Sequence, residues 1–143
     1  MANLTITAAS VVASTDALNT RTAEGIAGEA IDAGEVVYID STDSYKLKLA
    51  SAQNATEAEF VGIALNSAGL NQPVEYATQD LALAIGATVA VGEVYVVSAT
   101  SGKIAPNADL IGADFVTIIG VGITTSTISF IASPFLRGTV AHA

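Results

Sequence analysis

The sequence of 143 residues contains no cysteine and no tryptophan, and its single histidine is His142. Without cysteine, folding does not depend on a disulfide and the chain has no thiol nucleophile. His142 lies second from the end in TVAHA, where the rigid geometry of acid/base catalysis is hard to achieve. No G-x-S-x-G motif occurs. These absences argue against an enzyme, and we expect no catalytic residue and no cofactor.

Charged residues are scarce as well. They make up 13% of the chain, with 14 acidic against 5 basic side chains and a net charge of −9, whereas soluble domains typically contain about 25%. So few charges leave apolar surface that self-association or a partner would cover, so we expect an obligate assembly and favour a homo-oligomer. A nucleic-acid interface needs clustered basic residues. Only Lys46 and Lys48 come close, and their spacing is typical of the solvated face of a strand, so we expect no nucleic-acid partner.

Long apolar runs are also missing, although 51% of the residues are hydrophobic. A membrane-spanning helix needs about 20 consecutive apolar residues, and we therefore expect no membrane partner. The first residues, MANLTITAASVVAS, lack the basic and continuous apolar regions of a secretory signal. We expect synthesis and folding in a cytoplasm.

What the chain does contain, from residue 30 onward, is a series of short apolar runs separated by Gly, Asn, Asp and Ser. This pattern is typical of β-strands. Strands are predicted at 35–40, 45–49, 60–65, 74–78, 81–85, 94–98, 115–123 and 127–132. Helical signals are weak, and short helical turns are predicted only at 53–59 and after Pro106. The fold class is therefore all-β.

Two of these strands have informative patterns. YKLKL at 45–49 alternates strictly, which predicts that Tyr45 and the two leucines face the core while the lysines face solvent. Residues 36–39, VVYI, are apolar on both faces of the predicted strand. We expect that strand to be covered on one side by a second sheet and on the other by a further layer or subunit.

The chain also repeats itself. AIDAGEVVYID at 30–40 is nearly restated as TVAVGEVYVVS at 88–98, and at the same offset of 58 residues Gly62 corresponds to Gly120. Such a repeat is typical of two supersecondary units that cannot bury their apolar faces alone. We predict a compact β-sandwich or barrel-like domain built of two similar β units.

This organisation predicts an N-terminal arm at 1–28 and a β domain at 29–143, with the repeat units at 30–85 and 88–132. The arm has sparse apolar residues. It is interpreted either as a frayed terminus or as a segment that orders only against a neighbouring subunit or host surface. The residues predicted to lie at an interface are apolar residues of the arm and of the C-terminal segment: Leu4, Ile6, Val11, Val12, Phe135 and Leu136.

Asp40 and Asp43, in YIDSTDSY, are the only candidates that we find for a cation site. Ca²⁺ usually takes six or more oxygen ligands, whereas Asp and Ser in turns hydrogen-bond to the nearby backbone. We interpret both aspartates as turn residues and expect no metal site.

Four phrases carry a resemblance to a known family: AIDAGEVVYID, FVGIALNSAGLNQPVEYAT, IGATVAVGEVYVVSATSGKIAP and IIGVGITTSTISFIAS. In their order and spacing over residues 26–132, they resemble the capsid decoration, or cement, proteins of tailed bacteriophages. No signature residues carry over, because such proteins act through extended surfaces. The alternative function is a receptor- or carbohydrate-binding module of a head or tail fibre.

The resemblance implies an all-β structural protein, usually a homotrimer, that binds the outer surface of the mature head. Its partner would be the major capsid protein, and it would stabilise the lattice by bridging neighbouring coat subunits. It would be made in the host cytoplasm and located on the capsid exterior of the virion. We therefore expect a viral structural protein with no catalytic activity.

Overall fold

The computed structural model describes residues 3–14, 20–132 and 137–141. These residues are nearly all in strands and connecting turns, so the predicted all-β class is confirmed. The strands are β1 (Val11–Val12), β2 (Arg21–Ile26), β3 (Val36–Asp40), β4 (Lys46–Leu49), β5 (Gly62–Ala64), β6 (Pro73–Ile85), β7 (Val94–Val97), β8 (Ile104–Pro106), β9 (Phe115–Gly122), β10 (Thr127–Ile131) and β11 (Arg137–Ala141). Two short 3₁₀ helices lie at Ala8–Ser10 and Asn107–Asp109. The second follows Pro106, where a helical turn was predicted.

The strands form one antiparallel sheet in the order β4-β3-β5-β6-β10-β9-β7-β8. β1 and β2 also pair with β6, and β11 pairs with β9. The sheet curls into a half-barrel, which agrees with the predicted barrel-like domain. Within the described part of the chain, no helix has the length and apolar character needed to cross a membrane.

β6 connects the two parts of the sheet. Its first part pairs with β5, and its second part pairs with β10. The sequence predicts two strands here, at 74–78 and 81–85, whereas the structure has one strand of 13 residues. The two predicted strands are continuous because the polar residues between them, Gln79 and Asp80, remain in the ladder with β10.

A β-bulge interrupts this ladder. Asp80 pairs with Phe130 and Leu83 pairs with Ile128, so β6 has one more residue than β10 between the two pairs. The Asp80 side chain is fully buried, and its Oδ1 accepts a hydrogen bond of 2.9 Å from the backbone N–H of Ala82. The carboxylate thus accepts a hydrogen bond from a backbone N–H that the bulge removes from the regular ladder.

The two repeat units have the same strand order, and β3 pairs with β5 in the same register as β7 pairs with β9. Val37 pairs with Gly62 between β3 and β5, and Tyr95 pairs with Gly120 between β7 and β9. Both residues of the second pair lie 58 positions after those of the first. We refer to β3, β4 and β5 as the first half and to β7, β8 and β9 as the second half.

One hydrophobic core, the shared core, is formed by both halves. Its largest fully buried side chains include Phe130, Ile63, Leu83, Ile104 and Ile119. A smaller cluster lies on the other face of the first half and includes Val37, Leu47 and Val74. Each half therefore contributes apolar residues to a core that neither could enclose alone.

Residues 36–39 lie between the two hydrophobic clusters. Val36 and Tyr38 face the shared core, and Val37 faces the smaller cluster on the opposite side. The prediction of a strand buried on both faces is confirmed for these three residues. Ile39 departs from it, because it lies at the end of the strand with 39% of its surface exposed.

The described part of the predicted arm lies against the same chain. The backbone N–H of Leu4 donates to the carbonyl of Ile104 in β8, and β1 pairs with the end of β6. The backbone N–H of Ser14 donates to Oδ2 of the buried Asp80 at 2.7 Å. The boundary between an arm and a domain at residues 28 and 29 stays a prediction.

The prediction for Tyr45 is wrong. Its side chain is 72% exposed, and its backbone has a φ of 59°. The strand begins one residue later, at Lys46, so Tyr45 belongs to the left-handed turn that also includes Ser44. Strict alternation in YKLKL could not reveal where the turn ends. Leu47, by contrast, is buried as predicted.

Candidate interaction surface

The Asp40 turn holds its own carboxylate in place. Oδ1 of Asp40 accepts hydrogen bonds from the Thr42 hydroxyl at 2.6 Å and from the Thr42 backbone N–H at 2.9 Å. Nζ of Lys48 lies 2.9 Å from Oδ2 of Asp40 and 3.2 Å from Oδ2 of Asp43. Asp40 therefore bonds to the backbone of its own turn, as interpreted, whereas the Asp43 carboxylate contacts Lys48.

These contacts shift the pKa values of Asp40 and Lys48. The hydrogen bonds from the Thr42 hydroxyl and then from Lys48 lower the pKa of Asp40 to about 2. Hydrogen bonds to Asp40 and then to Asp43 raise the pKa of Lys48. Across residues 3–14, 20–132 and 137–141, no group of three or more His, Asp or Glu residues could hold a metal ion.

Two clefts lie next to the N-terminal residues. The first, of about 410 Å³, is lined by uncharged residues: Thr5, Thr7, Ser10, Ala84, Gly86, Ala87, Thr88 and Ser126. The second, of about 340 Å³, includes Asn3, Ser98 and Asp109, and the Ser98 hydroxyl donates to Oδ1 of Asn3 at 2.6 Å. Acid/base catalysis needs paired titratable groups. The lining of neither cleft supplies such a pair.

The predicted interface residues of the arm differ in exposure. Leu4 and Ile6 are partly buried and pack against the shared core. Val11 is buried, and Val12 is 56% exposed. Of these four residues, Val12 presents most apolar surface to solvent. Phe135 and Leu136, together with His142, lie outside the described residues, and the assignment of all six interface residues stays a prediction.

A more extensive apolar surface lies across β7, β9, β10 and β6, and the sequence does not reveal it. Val94 pairs with Val121 across β7 and β9, and Val121 pairs with Ser129 across β9 and β10. The bulge of β6 lies opposite Ser129 and exposes Leu81. We call Val94, Val121, Ser129 and Leu81 the outer row.

The outer row is only partly covered. Val121 and Leu81 are 37% and 39% exposed, and Val94 and Ser129 are half-buried. Exposed Ile131 lies two residues after Ser129 on β10, and exposed Ile123 lies two residues after Val121, just beyond the end of β9. None of these six side chains is ionisable. An uncharged apolar face of this kind on an antiparallel sheet is typical of a contact surface.

No protein-family model matches this chain, and no curated protein matches it. The residues and their geometry therefore carry the functional argument.

The residues at the equivalent register of the first half face the other side of the sheet. Val36, Ile63 and Ala77 form a cross-strand row on β3, β5 and β6, and none of the three is accessible to solvent. All three belong to the shared core, as do Tyr95 and Ile128 on strands that carry the outer row. Because side chains alternate along a strand, the outer row lies on the face of the sheet that points away from the shared core.

Proposed function

We propose that this protein is a capsid decoration protein of a tailed bacteriophage, which binds the outer surface of the mature head and bridges neighbouring coat subunits. The observation that carries the proposal is the exposed, uncharged outer row on a sheet whose opposite face is closely packed. Such a surface suits lasting contact with protein better than it suits catalysis. The order of the four sequence phrases supports the same function.

The mechanism follows from differential binding. A ligand stabilises the state that it binds, by about 2.7 kcal/mol per site when its free concentration is 100 times Kd. If the binding site is completed only when the coat lattice expands, decoration favours the expanded state and opposes its reversal. Repeated bridges around the shell add to one another through multivalency.

Charge contributes to the choice of partner. The net charge of −9 favours approach to a basic surface, so we propose a basic region of the major capsid protein as the contact of the acidic parts of this molecule. Attraction of this kind is screened by salt over a Debye length of about 8 Å at physiological ionic strength. Association with heads should therefore slow as salt is added.

One observation favours the alternative, a carbohydrate- or receptor-binding fibre module. Tyr45 is 72% exposed at the tip of the β3–β4 hairpin, and aromatic rings at surfaces can stack on ligands. A single tyrosine offers less for sugar binding than the outer row offers for protein contact. Decoration is therefore the function that we put forward.

A binding experiment with isolated heads tests the proposal. Purified protein is mixed with expanded heads that lack it and, in parallel, with unexpanded heads, and bound protein is measured by co-sedimentation. We expect saturable binding to expanded heads and a higher temperature of head disruption in scanning calorimetry. Equal binding to both kinds of head, or binding that does not change the disruption temperature, would contradict a stabilising role.

A further inference from the structure

We propose that residues 3–14 form a strap that opens and closes over one end of the shared core while the sheet stays folded, with Asp80 as its latch. The strap comprises the described N-terminal residues from Asn3 to Ser14. The proposal is independent of the proposed function, because it rests only on contacts within one chain.

The strap is attached to the rest of the chain at a few separate points. The backbone N–H of Leu4 donates to the carbonyl of Ile104 at 2.8 Å, and that of Thr7 donates to the carbonyl of Gly86 at 2.8 Å. β1 adds two residue pairs with the end of β6. Within the strap only Val11 is buried, so little apolar surface holds it in place. Segments with few buried contacts open locally, at a lower free energy than global unfolding.

Two glycines leave room for the strap. Gly34 and Gly86 have positive φ values of 91° and 73°. A methyl group at Gly86 would lie 2.5 Å from the carbonyl oxygen of Thr7, and one at Gly34 would lie 2.5 Å from Cγ2 of Ile6. The surface under the strap therefore admits it at close range only because these side chains are absent. The pairs of β6 with β5 and β10 do not involve the strap, so its opening leaves them intact.

Asp80 is the latch because its carboxylate joins the strap to the bulge of β6. Oδ2 accepts the N–H of Ser14 at 2.7 Å, and Oδ1 accepts the N–H of Ala82 at 2.9 Å. Asp80 is inaccessible to solvent while the strap is closed. A buried carboxylate is tolerated only with hydrogen-bond partners. Opening of the strap removes Ser14 and admits water in its place, so the open state contains no buried charge without a partner.

Amide hydrogen exchange of the wild-type protein, followed residue by residue with NMR, measures the opening. We expect the amides of Leu4, Thr7 and Ser14 to have similar protection factors, because they belong to one unit. The amides that pair β5 with β6 should exchange more slowly, since they are exposed only when the sheet unfolds.

Two substitutions disturb the strap at different points. Asp80→Asn keeps the shape of the side chain but offers one acceptor oxygen to two N–H donors. Gly86→Ala places a methyl group against Thr7. Gly92→Ala is the matched control, because Gly92 also has a positive φ, of 82°, but an added Cβ there would have no neighbour within 4 Å. We expect Asp80→Asn and Gly86→Ala to speed exchange of all three strap amides by about tenfold or more, and Gly92→Ala to leave their opening unchanged.

A further variant tests the latch if Asp80→Asn does not fold. Ser14→Pro removes the N–H that binds the carboxylate and leaves the sequence of β6 unchanged. Exchange at Leu4 and Thr7 should again be faster by about tenfold or more.

Three results would overturn the proposal. One is exchange of the strap amides as slow as that of the sheet, which would make the strap part of the global folding unit. Another is acceleration confined to the amide nearest each substitution, which would mean that the strap does not open as a unit. The third is exchange at the wild-type rate in Asp80→Asn or Ser14→Pro, which would show that Asp80 is not a latch. These measurements use the protein alone, so their failure leaves the proposed function unaffected, and absence of head binding leaves the strap unaffected.

Discussion

At the residue scale, the Asp40 turn shows how far local sequence chemistry determines structure. Asp in a turn is predicted to bond to the backbone two residues on, and Asp40 does so through Thr42. The contact with Lys48 is equally close, but it depends on the register of β3 and β4, which brings Tyr38 opposite Lys48. Sequence alone could not give that register.

The lowered pKa of Asp40 predicts an acid-dependent contribution to stability. Its folded-state pKa of about 2 lies below the ordinary value of 3.8, so the contribution is complete above the ordinary pKa and is lost as the pH falls toward 2. Asp40→Asn should therefore lower the free energy of unfolding at pH 7 more than at pH 2. Urea denaturation at a series of pH values measures this difference.

A matched variant separates the hydrogen bond from the ion pair. Thr42→Val removes the hydroxyl that contributes most to lowering the pKa of Asp40 while every charge is kept. The Asp40 carboxyl should then titrate at a higher pH, as followed by carbon-detected NMR.

For the first variant, an equal loss of stability at pH 7 and pH 2 in Asp40→Asn would contradict this account of the turn.

At the element scale, the sequence predicts the strands that lie within longer apolar runs and misses β2 and β8. β3, β5, β7, β9 and β10 all fall within predicted strands. β8 has only three residues and ends in Pro106, and β2 consists largely of exposed residues. Such strands are defined by the edge with which they pair, and the sequence does not contain that information locally.

The equivalent glycines Gly34 and Gly92 allow the packing of the N-terminal residues to be measured. Both have positive φ, at 91° and 82°. A methyl group at Gly34 would lie 2.5 Å from Cγ2 of Ile6 and 2.9 Å from Cγ2 of Val11, whereas one at Gly92 would have no neighbour within 4 Å. The first substitution meets backbone strain and a collision, and the second meets strain alone.

We therefore expect Gly92→Ala to cost about 1–2 kcal/mol of unfolding free energy, and Gly34→Ala to cost a further 1–3 kcal/mol, roughly the penalty for overpacking. Chemical denaturation of the two variants and the wild type gives both values. If the two substitutions cost the same, the N-terminal residues are not packed over Gly34 as the structure has them.

At the scale of the whole molecule, composition predicts that apolar surface is covered by association, but it does not locate that surface. Val121 falls in VTIIGVGI, which is apolar at nearly every position, so no alternation distinguishes a buried face from an exposed one. The outer row emerges only from cross-strand pairing and from the bulge in β6.

If the protein is a decoration protein, as we propose, the measurement that tests this claim most directly is its copy number in purified particles of its source, by quantitative mass spectrometry against the major coat protein. A decoration protein that covers the lattice predicts an abundance close to stoichiometric with the coat. A handful of copies per particle would indicate a vertex or tail fibre component instead, and absence from the particle would contradict a structural role in the virion.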